Sequence, residues 1–128
     1  MNSARNYLLI GALAGFLAVA LGAFGAHGLK NMISPAMLDI FNKGVHYQST
    51  HALALLATGL LLREQPIPSL RWAGRFFTLG ILLFCGSLYL LATTTNRSLG
   101  MITPLGGLSF LAGWALLAIG SWSAGKTP

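Results

Sequence analysis

Four long apolar runs divide the chain, and its polar residues collect between the runs rather than alternating within them. The runs cover about residues 7–26, 44–62, 72–94 and 104–123. Each is close to the roughly 20 residues that an α-helix needs to cross the hydrocarbon core of a bilayer. The stretch "REQPIPSLR" (63–71) carries charge and two prolines, and "TNRSLGMITP" (95–104) separates the last two runs, so both read as turns. Ser34–Pro35 and Thr103–Pro104 each look like a helix N-cap followed by proline at the first helical position, where its missing N–H costs nothing. The first of these marks a short helix from about Pro35 to Asn42, with Met37, Leu38 and Phe41 as its apolar side. The pattern predicts an all-α fold: a compact four-span transmembrane helix bundle with a short amphipathic interfacial helix between spans 1 and 2, forming one membrane domain over residues 1–128.

Within the runs, small residues recur at helical spacing. Gly11, Gly15, Ala18, Gly22 and Gly25 keep to a stripe about 80° wide on the first span. Gly106, Ser109, Gly113 and Gly120 do the same on the fourth. Lipid offers helices no hydrophobic reason to associate, so close backbone approach at small residues must supply the attraction. These glycines are the helix-packing candidates, either inside one bundle or against a second copy or another membrane protein.

The second run is the polar one. In "GVHYQSTHALALL" (44–56), Gly44, Gln48 and His51 share a face that Thr58 continues, with Tyr47 at its edge. His46 lies about 140° from His51, so these two histidines are not a facing pair. On the third span Thr78, Cys85 and Tyr89 follow one face and Gly80, Ser87 and Thr94 the other. Polar groups turned to lipid without a partner cost several kcal/mol, so both faces should look into protein.

Composition supports the membrane reading. Apolar residues make up 55% of the chain and charged residues 8%, whereas a soluble domain has about 25% charged residues. The net charge of +6 could suggest nucleic acid, but the eight basic residues stand singly at the ends of apolar runs. No soluble basic face exists to bind a nucleic acid, and the cations serve orientation and contact with the lipid bilayer. Arg5, Arg63, Arg71, Arg75 and Lys126 fall on the side of the termini, and Lys30, Lys43 and Arg97 on the other. That bias points to both termini in the cytoplasm. The opening "MNSARN", its apolar run and "GAFGA" faintly resemble a signal peptide, but the run is long and further spans follow, so it reads as a retained first span.

Candidate chemistry is sparse. Asp39 and Glu64 are the only acids and fall on opposite sides of the membrane in this topology. No paired carboxylates, nucleophile with base, phosphate loop or thiol pair is present, so no catalytic residue and no enzyme activity are expected. Cys85 is the single cysteine and reads as a small core hydrophobe. The topology gathers His27, Asp39, His46, Tyr47, Gln48 and His51 at one end of the bundle, near Asn96 and Arg97. Metal, haem or ion binding could use His27 and His51, but no recognised ligand spacing supports any of them. Against these stands the plainer reading, in which the polar side chains are bonds between helices.

Four stretches together resemble a known family. They are "LGAFGAHGL" (21–29), "GVHYQSTHALALL" (44–56), "LFCGSLYLLA" (83–92) and "TPLGGLSFLAGWALLAIG" (103–120). In this order and covering nearly the whole chain, they are similar to the YgdD family of small inner-membrane proteins, a domain of unknown function. The resemblance implies four membrane spans in the bacterial inner membrane and no established activity, substrate or cofactor. The shared positions are Gly25, His27, Gly28, Tyr47, Gln48, His51, Pro104, Gly106 and Gly107; the position of His46 is open. The expectation is therefore a non-enzymatic accessory or structural protein without cofactor, partnered by the bilayer and by a second copy or another membrane protein. The alternative is a binder or carrier of a small ligand at His27, Tyr47, Gln48 and His51.

Overall fold

The computed structural model describes residues 2–126 and is all-helical among them. Helix α1 spans Ser3–His27, α2 Pro35–Glu64, α3 Pro68–Gly80, α4 Gly86–Thr94 and α5 Thr103–Ala124. A five-residue π-helical turn, Ile81–Cys85, joins α3 to α4, so Pro68–Thr94 is one rod. Short 3-10 turns at Leu29–Asn31 and Arg97–Met101 fill the connections on the opposite end of the bundle from the N-terminus.

Ser34 caps α2, its hydroxyl accepting from the Met37 amide at 3.2 Å with Pro35 behind it. The segment Pro35–Asn42 is not a separate interfacial helix: it is the first two turns of α2, which continues unbroken to Glu64. Its apolar side finds a protein partner rather than the membrane surface, because Phe41 is buried under Gly25 and packs with Leu29 and Ala92. Thr103 also departs from its expected capping role. The chain reaches α5 already coiled, and the Thr103 hydroxyl lies 2.6 Å from that of Ser87, across to α4.

Ser3–His27, Pro68–Thr94 and Arg97–Ala124 are long and apolar enough to cross a membrane. The longest helix, α2, is not among them, because His46, Tyr47, Gln48 and His51 dilute its hydropathy. Yet α2 is the centre of the bundle. It packs along α1 on one side and against α3, the π turn and α4 on the other, with α5 behind them. Its polar stripe is turned inward: Gly44, Gln48, His51 and Thr58 are all buried.

Glycine sets how closely these helices meet. On α3 and the π turn, Leu70, Phe77 and Phe84 recur every seventh residue and lie on Gly120, Gly113 and Gly106 of α5. In return Phe110 of α5 fills the space beside Gly80. At Gly106 the backbones themselves touch, since an added Cβ would stand 2.7 Å from the Phe84 Cα. On the other side, an added Cβ at Gly11 would stand 2.9 Å from the Ala52 carbonyl oxygen, and one at Gly25 3.1 Å from the Phe41 ring. Gly15 and Gly22 sit more loosely, with nothing nearer than 3.9 and 3.4 Å. Gly44, Gly59, Gly74 and Gly80 complete the seams, taking Tyr89, Leu8, Tyr7 and Phe110.

The termini share one end with interfacial anchors. Arg75 stacks its guanidinium over Trp72 at 4.5 Å, and Lys126 lies over Trp122 at 4.4 Å. Aromatic rings beside cations at helix ends are typical of the headgroup level.

Candidate functional site: a polar layer at mid-bundle

Because α2 begins at Pro35, Gln48 and His51 sit near its middle rather than at an end. Gln48 faces Ala14, itself midway along α1. The expected polar end is therefore a polar layer across the waist of the bundle.

Gln48 ties three helices together. Its Nε2 donates to the Ala14 carbonyl at 2.8 Å, and its Oε1 accepts from the Tyr89 hydroxyl at 2.7 Å. A carboxamide suits this place because it carries a donor and an acceptor on one planar group. Gly44, one turn before Gln48, lets the Tyr89 ring lie against α2.

His51 makes the matching link to α5. Its Nδ1 lies 2.7 Å from the Tyr47 carbonyl, which only accepts, so Nδ1 carries the proton. Its Nε2 accepts the indole N–H of Trp114 at 3.0 Å. The ring itself is stacked. Phe110 lies parallel to it at 3.5 Å between centroids, Tyr47 lies nearly parallel and offset to the side at 6.1 Å, and Phe77 and Trp114 approach at an angle. Both ring nitrogens are engaged inside the bundle, and a metal or haem iron could reach Nε2 only by displacing the Trp114 bond.

The remaining candidates lie apart. Tyr47 is half-exposed, with its ring 4.6 Å from that of Phe84 and its edge in an open groove between α2 and α5. That groove encloses about 700 Å³, with Thr50, His51, Pro104 and Trp114 also in its walls. His27 is exposed at the last turn of α1. It lies one half-turn beyond Gly25, which meets Phe41 in the early turns of α2, and so stands about 20 Å along the bundle from His51. His46 is exposed too, and Asp39 pairs with Lys43 at 4.0 Å on the solvent side of the first turns of α2. Among the described residues no three His, Cys, Asp or Glu side chains come together as metal ligands.

Sequence reasoning missed Trp114, Tyr89 and Phe110 as partners of the polar stripe. The signal for Trp114 was present, since an indole N–H inside an apolar run must find an acceptor. A second tier of bonds serves the same purpose elsewhere. The Tyr7 hydroxyl donates to the Arg71 carbonyl at 2.8 Å, and Ser109 to that of Phe76 at 2.7 Å.

The fold and its internal bonding define a class: an all-helical membrane protein whose polar side chains fasten helix to helix. The chain belongs to the family described as a protein of unknown function (DUF423), whose model matches residues 21–107. Among its relatives is the UPF0382 membrane protein of Staphylococcus saprophyticus, 44% identical over 118 residues, which cover 92% of this chain and 98% of the relative. The UPF0382 inner membrane protein YgdD of Escherichia coli K12 is 40% identical over 119 residues, covering 93% of this chain and 91% of its own. No solved structure matches the chain.

Proposed function

We propose that this protein is a non-enzymatic accessory or structural component of the bacterial inner membrane that works through helix packing, alone or with a second copy or another membrane protein. The observation that carries this reading is the use of Gln48 and His51. Each of their ring or amide partners is a group on a helix of the same bundle, which is how structural cross-links behave. The inner-membrane placement follows the printed name of the Escherichia coli relative.

The reading includes four crossings with both termini in the cytoplasm. What supports the fourth crossing is that α2 runs beside α1 for most of its length, so one cannot traverse the bilayer without the other. Low hydropathy is no obstacle when the polar groups face protein.

A second reading, a small-ligand binder, draws support from the groove between α2 and α5, which has Tyr47, Thr50 and His51 in its walls. One experiment separates the two. The purified protein and its His51→Ala variant are compared by mass spectrometry for bound small molecules and by thermal melting in detergent. Packing predicts a lower melting temperature and no change in bound molecules. A metal, chromophore or quinone that leaves with His51 would overturn it.

A further inference from the structure

Helices α1 and α3 run parallel and touch where the Tyr7 ring lies on Gly74. Beyond that contact a groove opens between α1 and the rod Pro68–Thr94, with α2 as its floor. Its inner part encloses about 390 Å³ and is lined almost wholly by carbon, from Ile10 and Leu17 on one wall to Ile81 and Leu82 on the other. An outer part shares Ile10, Thr78 and Leu82 and ends at Tyr7 and Arg75. Along α1 the two parts run from Tyr7 to Leu21, about 21 Å at the helical rise. Gln48 lies in its floor opposite Ala14, and Tyr89, bonded to Gln48, lines it further in.

Gly86 distinguishes this groove from the helix seams. The glycines of the tight seams each receive a side chain or a backbone, but a Cβ added at Gly86, inside its helix, would meet nothing within 4 Å. Its missing side chain leaves space in the groove wall rather than admitting a neighbouring helix. At the outer end the charge is positive: Arg75 lines the groove, and Arg71 is one helical turn away. The Arg75 guanidinium is stacked on Trp72 and hydrogen-bonded to the Tyr7 side chain, and its planar fork carries further N–H donors of the kind that suit a phosphate.

We propose that this groove binds an anionic phospholipid, with one acyl chain along α1 and the phosphate at Arg75. Its length takes more than one leaflet's share of the roughly 30 Å hydrocarbon core. Its lining matches an acyl chain, and among the described residues its one charged wall residue, Arg75, lies on the side of the terminal anchors Trp72 and Trp122. The proposal is independent of whether the protein acts on a partner.

The test is native mass spectrometry of the full chain in mild detergent, titrated with phosphatidylglycerol or phosphatidylcholine of the same acyl chains. The wild type should retain phosphatidylglycerol about fivefold more than phosphatidylcholine, the preference expected for one cation at the membrane surface. Gly86→Phe should lose adducts of both lipids at an unchanged melting temperature. Arg75→Gln should keep adducts and lose the preference. If Gly86→Phe fails to fold, Leu82→Trp, from an exposed position of the same wall, replaces it. Adducts that survive groove filling in a folded variant, a preference that survives Arg75→Gln, or a dimer that groove filling dissociates would each overturn the proposal.

Discussion

The indole N–H of Trp114 ends on Nε2 of His51, 3.0 Å away, and so fixes the imidazole as the neutral tautomer protonated at Nδ1. A ring protonated at Nε2 would turn N–H against N–H. Nitrogen-resolved NMR of labelled protein should therefore report the Nδ1–H form; the other tautomer would refute this bond. Trp114→Phe keeps an aromatic ring and removes the donor, and should lower stability in detergent by about 1 kcal/mol. His51→Ala also loses the stack on Phe110 and should cost about 3 kcal/mol.

Gln48 and Tyr89 form one unit with Ala14, so their substitutions should not add. Gln48→Leu and Tyr89→Phe each remove the same hydrogen bond, and a double-mutant cycle should return a coupling of about 0.5–1.5 kcal/mol. A coupling of zero in reversible unfolding would mean that the Gln48–Tyr89 bond contributes nothing.

Two glycines on facing elements should respond in opposite senses. Gly106→Ala drives a methyl group into the Phe84 backbone, which cannot yield as a side chain could, and should destabilise by about 1–3 kcal/mol. Gly86→Ala meets open space and should be neutral or stabilising by up to about 1 kcal/mol, the helix-propensity difference. Equal melting temperatures for the two variants would contradict the seam described between the π turn and α5.

Thr95 ends α4 with φ 57°, the left-handed region that a β-branched residue seldom enters. Replacing it by glycine should stabilise by about 1 kcal/mol, because the strain disappears while the amide still bonds to the Leu91 carbonyl. Thr95→Val should stay strained, and a gain in stability from it would argue against this backbone.

Crossing by α2 places Lys30 and Arg63 on opposite membrane faces. In a Cys85→Ala background, cysteine at position 30 should react with an impermeant thiol reagent added to intact cells, and cysteine at position 63 only after lysis. Labelling of both from one side would leave α2 uncrossed.

The sequence made three spans legible, within Ser3–His27, Pro68–Thr94 and Arg97–Ala124, because their apolar runs carry little charge and are bracketed by proline, glycine or charge. It also revealed which face of α2 is buried, since Gly44, Gln48, His51 and Thr58 fall together on a helix of ordinary pitch. The depth of that face was misjudged. Ser34–Pro35 marks a helix start equally well whether the helix stops at Asn42 or continues, and nothing polar enough to end it follows. Partners across helices were harder still. Periodicity places Tyr89 and Trp114 on faces of their own helices, but only packing decides that they meet Gln48 and His51. The π turn at Ile81–Cys85 has no signal in composition, and I- and L-rich stretches of ordinary helix look the same.

The seven-residue spacing of large side chains that meet glycines of α5 from α3 and the π turn also has a mechanical consequence. Leu70, Phe77 and Phe84 each occupy a notch, and Phe110 occupies one cut the other way. Sliding α5 by one turn would drive Phe77 from Gly113 onto Ser109 or Leu117, so the hairpin behaves as a rack whose teeth allow a single axial position. Any motion this protein makes in the membrane would then move that hairpin as one rigid body against α1 and α2, which are packed along each other and travel as a second body.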